Sequence, residues 1–387
     1  AALIGNPISA IKMVEPTNNS LNNIKVAVNS NDLVYRFSCL KISNINKDTS
    51  SINMRIRLYY CGMRSINFLT DLTNYVMLEL GQPMHAFDAR KINSIVVGTP
   101  DKNFEFKTLD NQNRTITPET LMIYNNNDPI AIAGIMGGLD SEIICDSSEI
   151  ILESANFDSV SIRKSSSRMG LRTDASMRYE KTLDPEITII AIKRFLKLLL
   201  DNDPGANVSS NVADVYIHKY SEITLTIDKP YIDRYTGIDI SCEKIVGTLQ
   251  SLGFDVTVQN EIFTVKVPSW RATKDVTIKA DLIEEITRIY GYDNFTIATT
   301  NSKLIPVKTT ISRSEELKIK DILVQKYNMH EVHSYIWCDV KKFKKIGINV
   351  EENIKILNIA TSENGIIRNS LIPTLLSFSY ENRSFED

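Results

Sequence analysis

The stretch that says most about the fold of this chain is "EIILESANFDSVSIRKSSSRMGLRTDASMRYEKTLDP", residues 149–185. Its first ten residues, "EIILESANFD", join apolar and small side chains in a pattern that predicts a buried strand. Glu153 stands on that strand, where a carboxylate costs free energy unless it finds a partner. Two interpretations of Glu153 are open: a functional-site residue, or a strand-end glutamate in a structural salt bridge.

The second half of this stretch is rich in positive charge. Segment 162–181 contains six basic residues: Arg163, Lys164, Arg168, Arg172, Arg178 and Lys181. Such a cluster can gather the phosphates of a nucleic acid, or it can be an ordinary solvated loop. The net charge of the whole chain is −3. A nucleic acid would therefore have to bind a local basic patch.

The length and composition indicate a globular protein with more than one domain. The chain has 387 residues, of which 43% are hydrophobic and 24% are charged, and this is too long for one ordinary core. The five cysteines are scattered, which argues against a zinc site or a disulfide framework and fits a cytoplasmic protein. No apolar run approaches the roughly 18 residues of a membrane span, so we expect no membrane partner.

Hydrophobic patterns divide the chain into three regions and predict the α+β fold class. Residues 1–217 are predicted to form a mixed α/β domain, residues 218–297 a small α+β module, and residues 298–387 a truncated α/β domain. Strands are predicted at 31–42, 128–138, 149–158, 222–227 and 331–337, hairpins at 105–116 and 254–268, and helices at 65–80, 186–200, 228–237, 241–253, 281–292 and 312–327.

Four segments resemble the β subunit of bacterial phenylalanyl-tRNA synthetase. They are "LTNYVMLELGQPMHAFDARKI" (72–92), "AGIMGGLDSEI" (133–143), "LESANFDSVSIRKSSSRMGLRTDASMRYEKTLDP" (152–185) and "VPSWRATKDVTIKADLIEEITRIYGYDN" (267–294). The resemblance implies that 1–217 is the editing domain and 298–387 the N-terminal part of a non-catalytic synthetase-like domain. The family's N-terminal tRNA-binding domain and its anticodon-binding domain would lie outside this chain.

The resemblance also implies a site that hydrolyses Tyr-tRNA(Phe). A pocket built for phenylalanine rejects an analogue with one added hydroxyl by only about 100-fold. A second site that hydrogen-bonds that hydroxyl can discriminate by roughly 10⁴–10⁵-fold, because phenylalanine would leave its polar group unpaired. Glu153 matches the family's acceptor for the tyrosine hydroxyl.

Further pocket residues are implied in the same way. His85 matches the family's editing histidine, with a neutral imidazole that holds a water or contacts the ester. Thr173 would orient the water, and the small Ala175 would leave room for the aromatic ring. Thr73 and Asn74 would contact the substrate near the ester. From the residues alone, His85 could instead cap a turn, and Thr73 and Asn74 could lie on the outer face of a helix.

Two glycines follow the predicted strand at 128–138. Gly137 and Gly138 are expected to line the substrate, because glycine lets a ligand approach the backbone closely. The alternative for them is a tight turn. No segment has the pattern of a covalent nucleophile, so we expect attack by a water that His85 and Thr173 position. The residues expected to bind tRNA phosphates beside the pocket are Arg163, Lys164, Arg168, Arg172 and Arg178.

A group of carboxylates falls in the fourth segment. Asp281, Glu284 and Glu285 share one helix face, and Asp275 precedes them by six positions. Oxygen ligands of this kind suit Mg²⁺, and the resemblance implies a magnesium site shared with the α subunit. The alternative is an acidic first turn that favours the helix dipole. The residues alone leave both interpretations open.

The resemblance implies partners as well. These are the synthetase α subunit, in an α2β2 tetramer, and tRNA(Phe). ATP would be used by the holoenzyme and not bound by this chain. The alternative function is a structural and tRNA-binding scaffold with an inert editing pocket. The presence of His85, Glu153, Thr173 and Ala175 favours an active pocket.

Overall fold

The computed structural model describes residues 9–17, 23–144, 146–297, 299, 302–359, 361 and 365–385. The chain divides into two compact units, residues 1–297 and 298–387. The strands of the first unit are β1 (Lys25–Val28), β2 (Val34–Ser43), β3 (Met84–Asp88), β4 (Ser94–Gly98), β5 (Phe104–Lys107), β6 (Asn113–Ile116), β7 (Met122–Asn125), β8 (Asp128–Ile132), β9 (Met136–Gly137), β10 (Ile150–Phe157), β11 (Asn207–Val208), β12 (Ala213–Tyr216), β13 (Ile223–Asp228), β14 (Asp255–Gln259) and β15 (Ile262–Val267). Its helices are α1 (Ile52–Tyr60), α2 (Phe68–Leu80), α3 (Ser159–Arg168), α4 (Asp174–Tyr179), α5 (Ile187–Asn202), α6 (Lys229–Thr236), α7 (Cys242–Ser251), α8 (Ser269–Ala272) and α9 (Lys279–Tyr290).

The predicted strand at 149–158 is confirmed as β10, in the middle of an antiparallel sheet. β10 pairs with β2 on one side and with β3 on the other, while β11 and β12 both pair with β2. Every residue of β10 is buried. This burial follows from its position, because a central strand is covered on both faces. Its polar residues Glu153, Ser154 and Asn156 are buried with the apolar ones.

The two faces of this sheet contact different layers. Leu152 belongs to a hydrophobic cluster that includes Leu72 of α2 and Phe195 of α5. Ile151, one position earlier, belongs to a second cluster that includes Ile123. Successive side chains of a strand point to opposite faces, so alternate residues of β10 supply the two cores.

The second cluster joins this sheet to another one, with strand order β1-β4-β7-β8-β9. β1 pairs with β4 in parallel, and the other pairs are antiparallel. The predicted hairpin at 105–116 is confirmed as β5 and β6. The predicted strand at 128–138 is broken into β8 and β9 by a turn in which Gly134 has a φ of +66°.

Two short helices follow β10 where the sequence predicted no element. α3 begins after Asp158, whose side chain accepts a hydrogen bond of 2.7 Å from the Ser161 N–H. α4 begins after Thr173 with a capping box: the Ser176 N–H donates to Thr173 Oγ1 and the Thr173 N–H donates to Ser176 Oγ. These side chains satisfy amide groups that the first turn of a helix leaves unpaired.

The remainder of the first unit is a small α+β module. β13, β15 and β14 form an antiparallel sheet whose hydrophobic cluster includes residues of α6, α7 and α9. The predicted hairpin at 254–268 and the predicted helices at 228–237, 241–253 and 281–292 are confirmed here, with Ser241 as the N-cap of α7. Across the described parts of the chain, no helix has both the length and the apolar content needed to cross a bilayer.

The second unit contains fewer packed elements. They are α10 (Ile311–Tyr327), β16 (Trp337–Cys338), α11 (Val340–Lys345), β17 (Ile366–Ile367) and α12 (Ile372–Asn382). The predicted helix at 312–327 is confirmed as α10. The predicted strand at 331–337 is wrong except for its last residue, because β17 offers only two residues for pairing. Helices and mixed sheets in two compact units confirm the predicted α+β multidomain class.

Candidate functional site

A cavity of about 70 Å³ lies between the central sheet, the β8–β9 turn and α4. A water needs roughly 10–15 Å³ by this measure, so the cavity has room for several. The residues that line it are Pro83, Met84, His85, Ile123, Ala131, Ile132, Gly134, Ile135, Met136, Gly137, Glu153, Ala175 and Tyr179. The structure therefore brings together four of the predicted site residues: His85, Gly137, Glu153 and Ala175.

Glu153 and His85 are direct cross-strand neighbours. Glu153 on β10 pairs with His85 on β3, and on its other side it pairs with Cys39 on β2. Residues opposite each other in an antiparallel sheet have Cβ atoms roughly 4.5–5.5 Å apart on the same face. Sheet register thus holds the carboxyl and the imidazole side by side on the cavity face.

Glu153 is a buried carboxyl group without a salt bridge. Its residue is 5% exposed, and burial raises its pKa to about 8. Among the residues that the structure describes, no donor reaches its oxygens and no cation pairs with it. Since an uncompensated charge is costly in such a place, Glu153 is mainly protonated at pH 7. The salt-bridge interpretation of Glu153 is wrong.

His85 is neutral as well. Burial lowers its pKa to about 4, and its ring packs edge-on against Phe87 with centroids 4.5 Å apart. Its Nε2 is buried and has no hydrogen-bond partner within the described residues. A buried polar atom of this kind needs a water or a ligand to satisfy it.

The two predicted glycines have different roles. A Cβ at Gly137 would lie 2.8 Å from His85 Cε1 and 2.9 Å from Nε2, so any larger residue would have to displace that ring. Gly138 does not line the cavity. A Cβ there would lie 2.6 Å from Phe106 Cζ, and its N–H is already bonded to the Ile130 carbonyl at 2.8 Å. The Gly138 amide is therefore not free to bind a ligand.

Thr173 acts through α4. Its hydroxyl donates to the Ile135 carbonyl at 2.9 Å and accepts from the Ser176 N–H at 3.1 Å. This hydroxyl already has two partners and does not line the cavity, so the contacts seen are structural, and its predicted contact with water stays a prediction. Thr173 ties the start of α4 to the β8–β9 turn, and Ala175 on that helix lines the cavity.

Thr73 and Asn74 are not brought to the cavity. They lie on α2, which packs against the Leu152 face of the sheet, whereas Glu153 and His85 point to the opposite face. The Thr73 hydroxyl donates within its helix, to the Thr70 carbonyl at 2.8 Å. The two residues therefore do not line this cavity, and their predicted contact with a substrate near the ester stays a prediction.

The basic residues beside the cavity fall into two groups. Arg168 pairs with Glu119 at 3.1 Å, Arg172 with Glu180 at 2.7 Å and Arg178 with Asp174 at 3.0 Å. Arg163 and Lys164 on α3 are exposed, and no carboxylate pairs with them among the described residues. Of these five residues, Arg163 and Lys164 are therefore the most available to bind an anion.

The predicted magnesium ligands have other partners. Asp281 Oδ2 accepts from the Thr277 and Ile278 N–H groups at 2.8 and 3.0 Å, which caps α9. Asp275 pairs with Arg271. Burial alone would raise the pKa of Glu285, but hydrogen bonds from Arg271 and Arg288 outweigh it and lower that pKa to about 2.

Glu284 is the remaining predicted ligand, and it is exposed. No group of three or more His, Cys, Asp or Glu side chains that could hold a metal occurs in the described part of the chain. Arginines pair with Asp275 and Glu285, and backbone amides contact Asp281, so the four carboxylates form no such group among the described residues. A magnesium site shared with a partner stays a prediction.

The cavity includes residues that the sequence analysis missed. Tyr179 and Gly134 are the clearest examples, and they pack against each other: a Cβ at Gly134 would lie 3.0 Å from Tyr179 Cδ2. One sequence signal pointed to Tyr179. It stands four residues after Ala175, a spacing that puts both side chains on one face of a helix.

Two domain families match the chain. The B3/4 domain matches residues 33–203, and the tRNA synthetase B5 domain matches residues 225–292. The β subunit of phenylalanine–tRNA ligase from Carboxydothermus hydrogenoformans is 34% identical over 99% of this chain and 48% of that protein. The β subunit from Clostridium tetani is 36% identical over 91% of this chain and 45% of that protein.

Among solved structures, an N-terminal fragment of the phenylalanyl-tRNA synthetase β subunit from Pyrococcus horikoshii aligns with a TM-score of 0.38 and 13% identity. The alignment covers 75% of this chain and 80% of that one, and a similarity this low supports no assignment. The chain spans about half the length of the curated relatives it matches. On the sequence relatives and the two domain families, the chain belongs to the family of phenylalanine–tRNA ligase β subunits.

Proposed function

We propose that the cavity hydrolyses the ester bond of tyrosine wrongly attached to tRNA(Phe). The observation that supports this best is Glu153, a buried carboxyl group that lines a cavity and has no partner within the described chain. A phenol hydroxyl could satisfy this group, while the ring of phenylalanine would leave it unpaired. Such a difference discriminates strongly, because an unpaired buried polar group is costly.

The protonation states suit this task. With a pKa near 8, Glu153 keeps its proton at neutral pH. A neutral carboxyl can donate to the phenol oxygen and accept from its hydrogen. An uncharged pocket also avoids the cost of burying an ion when it admits an aromatic ring.

The hydrolytic step would use water. His85 Nε2 is unpartnered and faces the cavity, so it could hold the attacking water or contact the ester. Water would attack the carbonyl carbon, the bond to the ribose oxygen would break, and the ribose oxygen would take up a proton. Cys39 is an unsuitable nucleophile, since burial, and then nearby Glu153, raises the pKa of its thiol. Positioning alone can supply much of the acceleration for an activated ester.

The rest of the assembly is part of the same proposal. Arg163 and Lys164 would contact the tRNA backbone close to the pocket. The α subunit would be the partner in an α2β2 synthetase that uses ATP. Any magnesium would need oxygens other than those that Arg271, Arg288 and the backbone amides already contact, and Glu284 and Asp275 have exposed carboxylates.

Deacylation of Tyr-tRNA(Phe) by the 387-residue chain tests the proposal. We expect the chain to release tyrosine faster than buffer does, and the Glu153→Ala variant to lose most of that rate. Equal rates for the chain, the variant and buffer would favour the alternative, a scaffold that binds tRNA around an inert pocket. A filter-binding assay with tRNA(Phe) would then show whether RNA binding persists.

A further inference from the structure

The ladder between β3 and β10 ends beside the cavity. Its last pair is Ser154 with Met84. Continuing the register by one residue would bring Ala155 opposite Pro83. Proline has no N–H group, so the regular backbone hydrogen bonds cannot continue there. The Ala155 carbonyl would face that missing N–H, so it needs a donor from elsewhere, and the Pro83 carbonyl beside it also accepts from a side chain.

Two side chains supply those donors. Gln82 Nε2 donates to the Ala155 carbonyl at 2.8 Å and to the Pro83 carbonyl at 2.9 Å. The Tyr179 hydroxyl lies 3.0 Å from the Ala155 oxygen and 3.4 Å from the Pro83 oxygen. Both residues are buried, and Gln82 Nε2 also lies 3.4 Å from the Tyr179 oxygen. We call this group of contacts the Gln82–Tyr179 clamp.

The clamp lies two residues along each strand from the proposed reaction centre. Ala155 is two residues after Glu153, and Pro83 is two residues before His85. Residues two apart on a strand share a face. The Tyr179 ring lines the cavity and packs tightly against Gly134, where a Cβ would lie 3.0 Å from Tyr179 Cδ2. A shift of the clamp would therefore move β3 relative to β10 at the cavity.

We propose that Gln82 and Tyr179 are positioning residues, which set the distance between His85 and Glu153 by replacing the backbone bond that Pro83 cannot donate. This inference rests on the proposed editing function. It assigns neither residue a contact with the reacting atoms. Gln82 comes from the α2–β3 turn and Tyr179 from α4, so the clamp also joins the capped helix to the sheet.

Tyr179→Phe and Gln82→Met test the inference, since each removes donors and keeps much of the side-chain volume. We expect kcat for release of tyrosine from Tyr-tRNA(Phe) to fall about ten- to a hundredfold in each variant, while KM changes less than about twofold, because geometry is lost and binding is not. The double variant should be about as slow as the worse single variant, since both residues act on the same carbonyls.

Tyr220→Phe is the matched control. It removes a tyrosine hydroxyl that donates to the Val267 carbonyl at 3.1 Å, away from the cavity. We expect it to lower the melting temperature as Tyr179→Phe does and to leave kcat unchanged. If all the single variants keep kcat within about twofold of the unchanged chain, the clamp has no positioning role, whereas the editing function would stand.

A second measurement does not depend on activity. The chain has only four histidines, so the His85 ring can be followed by ¹H–¹³C NMR during a pH titration. Burial holds the His85 pKa at about 4. Loosening the clamp should admit water and raise this pKa towards its ordinary value in Tyr179→Phe and Gln82→Met, but not in Tyr220→Phe. An unchanged His85 titration in both clamp variants would overturn the inference, even if the unchanged chain proved unable to hydrolyse the ester.

Discussion

At the residue scale, the site depends on groups that are buried and uncharged. Glu153 and His85 lie side by side because strand register makes them opposite neighbours. Their pKa values move in opposite directions for the same reason, since burial disfavours the carboxylate as it disfavours the imidazolium. A pocket of this kind would select a ligand by hydrogen bonding and shape.

The titration of Glu153 makes stability depend on pH. Its pKa is about 8 when folded and 4.5 by the ordinary value. Between these values the folded chain binds more protons than the unfolded chain, so the free energy of unfolding falls as pH rises. Across this pH window we expect the free energy of unfolding to fall by an amount on the order of a few kcal/mol. In Glu153→Gln this pH dependence should be absent, because glutamine does not titrate. Urea unfolding at pH 5, 7 and 8.5 measures it. Identical slopes for both chains would show that Glu153 is not buried as described.

Gly137 leaves no room for a methyl group beside His85. In Gly137→Ala the new Cβ would lie 2.8 Å from His85 Cε1, so the ring must move. We expect a loss of about 1–3 kcal/mol in stability and a large fall in deacylation rate. Gly247→Ala is the control, because a Cβ there has no atom within 4 Å. If the two variants had the same melting temperature and the same deacylation rate, Gly137 would not lie in close contact with the His85 ring.

At the element scale, sequence patterns predicted elements with clear hydrophobic spacing or turn signals and missed α3 and α4. β10 and α5 have hydrophobic spacing that a single sequence displays, and both were found. α3 and α4 are short and rich in serine and basic residues, and their existence depends on caps supplied by Asp158 and Thr173. Which way Thr73 faces depends on how α2 packs against the sheet, and the local sequence does not reveal that packing.

The site shows the same division. Glu153, His85, Ala175 and Gly137 could be predicted from motifs. Tyr179 lies within a quoted motif, and Gln82 lies within another, but their hydrogen bonds join residues that are distant in sequence. Gln82 bonds to the carbonyl of Ala155, 73 residues away. Such pairings follow from the assembled sheet, so a single sequence cannot reveal them.

The N-cap of α4, Thr173, is expected to affect both stability and deacylation. Thr173→Val removes the hydroxyl that bonds to Ser176 and Ile135, and Thr173→Ser keeps one. We expect Thr173→Val to lose about 0.5–2 kcal/mol of stability and to slow deacylation, because Ala175 and Tyr179 move with α4. Thr173→Ser should stay near the unchanged chain in both assays. If Thr173→Val hydrolyses the ester normally, α4 does not need its cap for the site.

At the scale of the whole molecule, a chain with a net charge of −3 would have to bind RNA through local patches. Arg163 and Lys164 on α3 are exposed and pair with no carboxylate among the described residues. We expect the double variant Arg163→Ala, Lys164→Ala to bind tRNA(Phe) more weakly. The slope of log K against the logarithm of the salt concentration should become shallower by about one to two. Lys266→Ala, which removes a cation paired with Glu222 in the small module, is the control. An unchanged salt slope in the double variant would exclude this patch from the RNA interface.

The most direct test of the central claim is the ratio of deacylation rates for Tyr-tRNA(Phe) and Phe-tRNA(Phe). Glu153 accounts for that ratio if it is the group that reads the phenol hydroxyl. We expect a ratio of several orders of magnitude for the unchanged chain, since a site that hydrogen-bonds a hydroxyl rejects the analogue without it by roughly 10⁴–10⁵-fold. In Glu153→Ala the ratio should collapse towards one. A ratio that survives this substitution would contradict the account.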